Sequence, residues 1–313
     1  MITRIYNKIG RLRLCAAFFT IHCSLFTSCS SGDQDFPDFD YQTVYFAKQY
    51  PVRTVELGND DYVDVTLDNQ HKVNIKATMG GAYTNRRDIT VEIAVDPTLI
   101  DGLKFKDSNE SLVLLPSSHY NLTDHQIHIP AGEISAGVIV ELTDKFFDDP
   151  KSLTTHYVLP IRMVGKAEGV DSILEDKDFV LYAVKYINRY QAKYVHAKNT
   201  NTVVSVTSAG LNTCHLQYAA KDAEGKNHNC QLVLNFANDG TCNITTDTEG
   251  FTVQGSGRFV EADESQLLGA RHPDTMYLKF SISNPTLGIT ASEDYTLLCQ
   301  TRGVAPENFE VIK

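Results

Sequence analysis

The chain has 313 residues, with 28 Lys+Arg against 39 Asp+Glu and a net charge of −11. That balance argues against nucleic acid and anionic lipid headgroups as partners, because phosphate recognition needs clustered cations. It leaves neutral ligands open, and the length suffices for one large or two ordinary domains.

The first 28 residues read as an export signal. Arg4, Lys8, Arg11 and Arg13 form a positive start without an acidic residue, and an apolar stretch from Leu14 to Phe26 follows. The stretch is too short and too interrupted to span a bilayer, which takes roughly 20 apolar residues, and it suits a cleaved secretory segment. It ends in Phe26-Thr27-Ser28-Cys29. This resembles the lipobox of bacterial lipoproteins, in which the cysteine is acylated and becomes the new N-terminus. Phe26 stands where that pattern usually has leucine. The resemblance implies lipidation at Cys29 and a lipid anchor in the membrane; an ordinary signal peptide cleaved nearby is the alternative. Residues 29–40, with Asp33, Asp35, Asp38 and Asp40, bury too little apolar surface to fold alone and are expected to form a flexible acidic tether. The tether resembles the acidic stretch of Bacteroidetes lipoproteins sent to the outer face of the outer membrane. Cleavage would remove four cations and leave 285 residues, with 24 Lys+Arg against 39 Asp+Glu.

Beyond the tether the pattern is that of strands. In Ile89–Val95 the apolar side chains Ile89, Val91, Ile93 and Val95 fall on alternate positions, the period of a half-buried strand. Similar runs are Thr43–Ala47, Tyr62–Leu67, His71–Ala77, Gln126–Ile129, Gly137–Leu142, Tyr157–Met163 and Phe179–Ile187. Their spacing and short connections predict a β-sandwich over residues 41–189.

A second series follows the polar stretch Asn188–Lys193: Val203–Val206, Cys214–Ala219, Cys230–Phe236, Cys242–Thr246, Phe251–Phe259, Thr275–Ser283 and Tyr295–Arg302. Lys221–Asn227 and Ala237–Gly240 supply hairpin turns. Seven strands in about 120 residues predict an up-and-down meander over residues 194–313, closed as a small lipocalin-like antiparallel barrel or folded as a compact sandwich. The fold class is therefore all-β. Cys214, Cys230, Cys242 and Cys299 all fall in this second part. Their even number in an exported chain is compatible with two disulfides, in any of three pairings. Four buried free thiols are the alternative.

Several segments of the first domain occur in a telling order: Val44–Phe46, Gly80–Asn85, Asp96–Leu99, Leu114–Pro116 with Tyr120, Ile127–Gly132 and Tyr157–Ile161. The order resembles the N-terminal immunoglobulin-like domain of unknown function in Bacteroidetes surface lipoproteins, found in glycan-uptake loci and ahead of some family-18 endoglycosidases. Gly255–Phe259, Met276–Phe280 and Thr296–Gly303 resemble, more loosely, a β-barrel module that follows that domain. The resemblance implies a spacer or binding module and brings no catalytic residues with it.

No residue pattern states a chemistry. Asp148-Asp149-Pro150 is expected to open a turn. Gly255-Ser-Gly257 lacks the spacing and the helix of a serine-hydrolase elbow and is expected to mark a bulge or a close backbone approach. Cys214 and His215 are neighbours on a strand and point to opposite faces. Asn59–Asp64 offers hard oxygen ligands without the spacing of a calcium loop, so a solvated turn is expected and no metal or other cofactor is assigned. Sugar recognition needs aromatic faces flanked by polar groups. The chain has 15 Tyr, 15 Phe and no Trp, which weakens but does not remove that reading. Tyr83 and Tyr120 are the candidate ligand-binding residues, with core packing or turn support as their competing role.

The expectation is a non-catalytic, lipid-anchored cell-surface protein that binds a glycan as an accessory of polysaccharide uptake, with outer-membrane uptake proteins as further partners. A protein-interaction or adhesion module and an unrecognised glycoside hydrolase are the alternatives.

Overall fold

The computed structural model describes residues 39–313. The export signal, Cys29 and nearly all of the acidic tether lie outside the described residues. Residues Tyr41–Lys313 form one unit built from two β structures.

The sandwich uses β1 (Thr43–Tyr45), β2 (Pro51–Glu56), β3 (Lys72–Gly80), β4 (Ile89–Val95), β5 (Lys104–Phe105) and β6 (Val113–Leu114). It continues with β7 (Tyr120–Asn121), β8 (Gln126–Ile129), β9 (Ser135–Leu142), β10 (Tyr157–Glu168), β11 (Ser172–Ile173) and β12 (Phe179–Ile187). One sheet has the order β11-β1-β3-β9-β7; β2, β12, β10, β4 and β8 make the other, with β6 beside β10. Alternation drives the facing: Val73, Ile75 and Ala77 of β3 pair with Val140, Val138 and Ala136 of β9. They meet Ile89, Val91 and Ile93 of β4 in the core between the sheets. β10 and β12 break the alternation and read as continuous apolar runs, because both of their faces are covered. Val158, Leu181 and Ala183 point away from the main core into a smaller one with Ile100, Phe105, Leu112 and Phe309.

The expected strand at Tyr62–Leu67 is not formed. Asp60 Oδ1 accepts from the backbone N–H of Tyr62 (2.6 Å) and Val63 (3.0 Å), and Asp64 Oδ1 accepts from Thr66 (3.0 Å). These aspartates offer the backbone local partners in place of a ladder, and a single helical turn, Thr66–Asn69, follows. The strand that does form nearby, β2, begins at Pro51, a residue strands admit at their first position.

The second structure is a closed barrel of eight strands: β13 (Ala192–His196), β14 (Asn199–Ser208), β15 (Thr213–Lys221), β16 (Asn227–Phe236), β17 (Thr241–Thr246), β18 (Thr252–Val260), β19 (Thr275–Asn284) and β20 (Ile289–Thr301). Each is antiparallel to the next, and β20 closes on β13 through Tyr194↔Cys299 and Val195↔Leu298. Closure settles the choice between barrel and compact sandwich. The strand missing from the sequence reading is β13, whose first residues lie in the polar stretch. Asn188 in that stretch is buried because it is fully used: its amide donates to the carbonyls of Gly210 (2.7 Å) and Thr213 (3.0 Å), and its Oδ1 accepts from Tyr190 (3.0 Å) and Gln191 (3.1 Å). Gly255 and Gly257 mark a close backbone approach without a bulge. A Cβ on Gly257 would lie 2.3 Å from the Tyr277 carbonyl oxygen, and the β18–β19 register runs unbroken.

The chain end departs from the expected domain limit at residue 313. After β20 it leaves the barrel and returns to the sandwich. There β21 (Glu307–Asn308) pairs with β2 and β22 (Val311–Ile312) pairs with β5. Phe309 between them packs edge-on against Tyr50 and Phe105, at 5.7 and 5.2 Å between ring centroids.

Candidate functional site

A cleft of about 290 Å³ opens where the sandwich meets the barrel. One wall is the loop after β2. Gly58, at φ +97°, starts it, and a Cβ there would strike Arg189 Cβ at 2.7 Å, so only glycine lets the loop lie against the barrel. Asn69 clamps the same glycine, donating to its carbonyl (2.8 Å) and accepting from its N–H (2.9 Å). The Asp60 turn then projects Tyr62 to the rim, with 75% of the residue exposed.

The opposite wall is the end of β20 and the loop between β18 and β19. Arg271 reaches across to Asp61 and donates to the carbonyls of Cys299 (2.7 Å) and Gln300 (2.8 Å). His272 accompanies it, Nδ1 2.9 Å from the Gln266 carbonyl oxygen. The Asp274 carboxyl accepts from the Ala262 N–H (2.8 Å), and its burial raises its pKa against the opposing pull of that bond and of Arg302.

Beneath the cleft Arg302 fastens the two structures. Its guanidinium donates to the carbonyls of Leu57 (2.9 Å), Asn188 (2.7 Å) and Arg189 (3.0 Å) and faces Glu56. Burial, opposed by Arg302 and reinforced by the Asp60 and Asp68 carboxylates, pushes the Glu56 carboxyl up to about 7. The arrangement offers an exposed aromatic face above a set of carboxylate, guanidinium, amide and imidazole groups. Such a surface can stack a ring and hydrogen-bond its hydroxyls. Among the described residues no group of three or more His, Cys, Asp or Glu is placed to hold a metal ion.

Neither candidate tyrosine lines this cleft. Tyr83 is 67% exposed in the turn after β3, whereas Tyr120 is half-buried on β7 and packs against the sandwich core. Tyr120 pairs with Leu142, near the Lys72 end of β3, so the two tyrosines lie about 25 Å apart along that strand. The strand-like alternation of Tyr62–Leu67 hides Tyr62 as a site residue, whereas the solvated turn expected over Asn59–Asp64 is formed and carries it.

The four barrel cysteines are free and buried, the second of the two arrangements the sequence left open. The register explains it: Cys214 stands opposite Leu234, Cys230 opposite Tyr218, Cys242 opposite Phe236 and Cys299 opposite Tyr194. Burial pushes the thiols of Cys214, Cys242 and Cys299 up to about 12. Asp149 opens a turn as expected, accepting from the Lys151 N–H at 2.9 Å.

The fold defines an all-β protein, a β-sandwich followed by a closed eight-stranded antiparallel barrel. A family model described as a "-like, N-terminal domain" matches residues 39–169, and a domain of unknown function, DUF5627, matches residues 167–303. A crystal structure of a Bacteroides ovatus protein of unknown function is 37% identical, with a TM-score of 0.81, over 88% of this chain and 99% of that one. The chain belongs to the family of that protein, and within this chain the N-terminal domain match precedes the DUF5627 match. A second B. ovatus protein of unknown function is 15% identical with a TM-score of 0.40, over 86% of this chain and 99% of that one. EndoBT-3987 of Bacteroides thetaiotamicron, solved with a Man5GlcNAc product, is 16% identical with a TM-score of 0.28, over 43% of this chain and 28% of that one. At those TM-scores neither likeness carries an argument. No curated protein matches the chain.

Proposed function

We propose that this chain is a non-catalytic glycan-binding lipoprotein of the cell surface, anchored through Cys29 in the outer membrane, and that the junction cleft holds the sugar. The observation that carries the reading is Tyr62, an exposed ring at the rim of a polar cleft. Sugars are bound by such a ring with hydrogen-bonding neighbours, here Asp60, Arg271, His272 and Gln300. The export signal and lipobox-like Cys29 support the address, and the net negative charge suits a neutral ligand.

The test is a glycan array with the folded protein, hits being measured by calorimetry. A saturable hit weakened about tenfold by Tyr62→Ala, a loss near 1.4 kcal/mol, supports the reading. A blank array from folded protein favours the interaction module instead, and sugar release during incubation favours the hydrolase. Labelling with radioactive palmitate, lost in Cys29→Ala, tests the anchor. Protease shaving of intact cells tests the outward orientation.

A further inference from the structure

The Asp60 turn serves two clefts. Tyr62 lines the junction cleft, and its neighbour Val63 lines a second one of about 310 Å³. The second cleft follows from where the chain end stops pairing. Asn308 stands opposite Pro51 and Glu307 opposite Val52, a register that would bring Ala305 opposite Thr54. The ladder ends at Glu307 instead, and Val304–Pro306 runs as a strap without strand pairing. The strap and the unpaired stretch of β2 are the two walls, and the lining is apolar along Pro51, Val52, Val63, Val304, Ala305 and Pro306. A cavity of about 150 Å³ holds a benzene ring, and small-molecule sites begin near roughly 300 Å³. This cleft therefore has room for one ring or a short chain.

Two polar side chains reach this surface without a partner. Thr54 is 7% exposed and Tyr182 8%, and both line the cleft. Neither hydroxyl makes a hydrogen bond among the described residues, yet neither oxygen is sealed from solvent. Buried hydroxyls are as a rule paired, so two left open in one cleft are places for a ligand oxygen. Burial raises the Tyr182 pKa against the pull of nearby Arg53, and the hydroxyl remains a donor at neutral pH.

The surrounding charges select the sign of the ligand. Arg53 is paired with Asp68, Glu307 with Lys185 (2.8 Å), and Glu56 faces Arg302 (3.4 Å). Lys48, an exposed residue of the lining, makes no ion pair among the described residues. The uncancelled charge is thus positive, and hydroxyl donors accompany it. A carboxylate accepts from both, and hydrogen bonds to a charged acceptor are the stronger ones.

We propose that this cleft binds a small monocarboxylate with an apolar body. Tyr182 and Thr54 are its hydrogen-bond donors, Lys48 is its counter-charge, and the strap covers its ring or chain. The site is separate from the junction cleft and stands or falls independently of glycan binding there.

The experiment titrates the folded protein with sodium phenylacetate and sodium hexanoate, against sodium chloride at equal ionic strength. Calorimetry and saturation transfer to the ligand protons are the readouts. Saturable binding of at least one acid is expected. Tyr182→Phe should weaken it at least fivefold and leave the urea midpoint unchanged, because the lost hydroxyl has no partner in the protein. Lys48→Ala, an exposed change, should weaken it severalfold, and the loss should shrink as salt is raised. Tyr62→Ala should leave it unchanged. No saturable binding of either acid, equal binding by Tyr182→Phe, or equal binding of the neutral benzyl alcohol would overturn the proposal. So would a loss in Tyr62→Ala as large as that in Tyr182→Phe, which would put the acid in the junction cleft.

Discussion

Arg302 and Glu56 face each other between the sandwich and the barrel, Nε to Oε1 at 3.4 Å, with 3% and 2% of their side chains exposed. Arg302 also donates to three backbone carbonyls from both structures. Without Arg302 the three backbone carbonyls it caps are left buried and unpaired, and removing one partner of such a buried pair costs about 3–5 kcal/mol. Arg302→Ala should therefore destabilise the protein by that amount in urea unfolding, and it should separate the sandwich and barrel transitions. Arg302→Lys should recover little, because a lysine cannot reproduce the planar fork.

The same pair sets a pH dependence. The folded-state pKa of Glu56 is raised from 4.5 to about 7, so the folded protein holds a proton that the unfolded chain releases. The stability from this group is fully present below pH 4.5 and is lost as pH rises through about 7. The full swing is on the order of 3 kcal/mol. Glu56→Gln should abolish that part of the slope between pH 5 and 8, measured as the difference between the urea midpoints of the two proteins.

The barrel thiols should be inert while the protein is folded. Thiolates are the reactive species, and burial holds Cys214, Cys242 and Cys299 protonated. Iodoacetamide at pH 8 should leave the peptides carrying all four barrel cysteines unmodified and should label them once urea is added. Reducing agent should leave the unfolding midpoint unchanged. A fall in the midpoint on reduction would mean that a disulfide exists.

Phe309 tests the return of the chain end. It fills the small core against Tyr50 and Phe105, on the outer face of β12. Truncating a buried phenylalanine costs about 3–5 kcal/mol. Phe309→Ala should produce that loss in the sandwich, with amide exchange in β15 to β18 of the barrel little changed. Protection lost uniformly through the barrel would instead show that the two structures unfold as one.

Much of the architecture was legible in the order of residues, because strand alternation is a local property. Ile89–Val95 declares its inward face within seven positions, and the strands read at Cys214, Cys230, Cys242 and Thr275 lie close to where their patterns put them, while the last begins at Ile289, six residues before the expected Tyr295. Where local signals conflicted, the reading failed. Tyr62–Leu67 alternates like a strand, yet Asp60 and Asp64 capture its backbone, and Asn188–Lys193 is polar because one asparagine satisfies four backbone groups.

Composition and periodicity by themselves determined that this chain is all-β, acidic and divided into two structures. Only the tertiary structure decided that β20 closes on β13, that the cysteines face other partners, and that the last residues join the first domain. It alone brought Tyr62 to the cleft with Arg271. The reason is physical: side-chain periodicity is set by each residue's nearest neighbours along the chain. Pairing between distant strands depends on which arrangement buries the most apolar surface while leaving the fewest backbone groups unpaired.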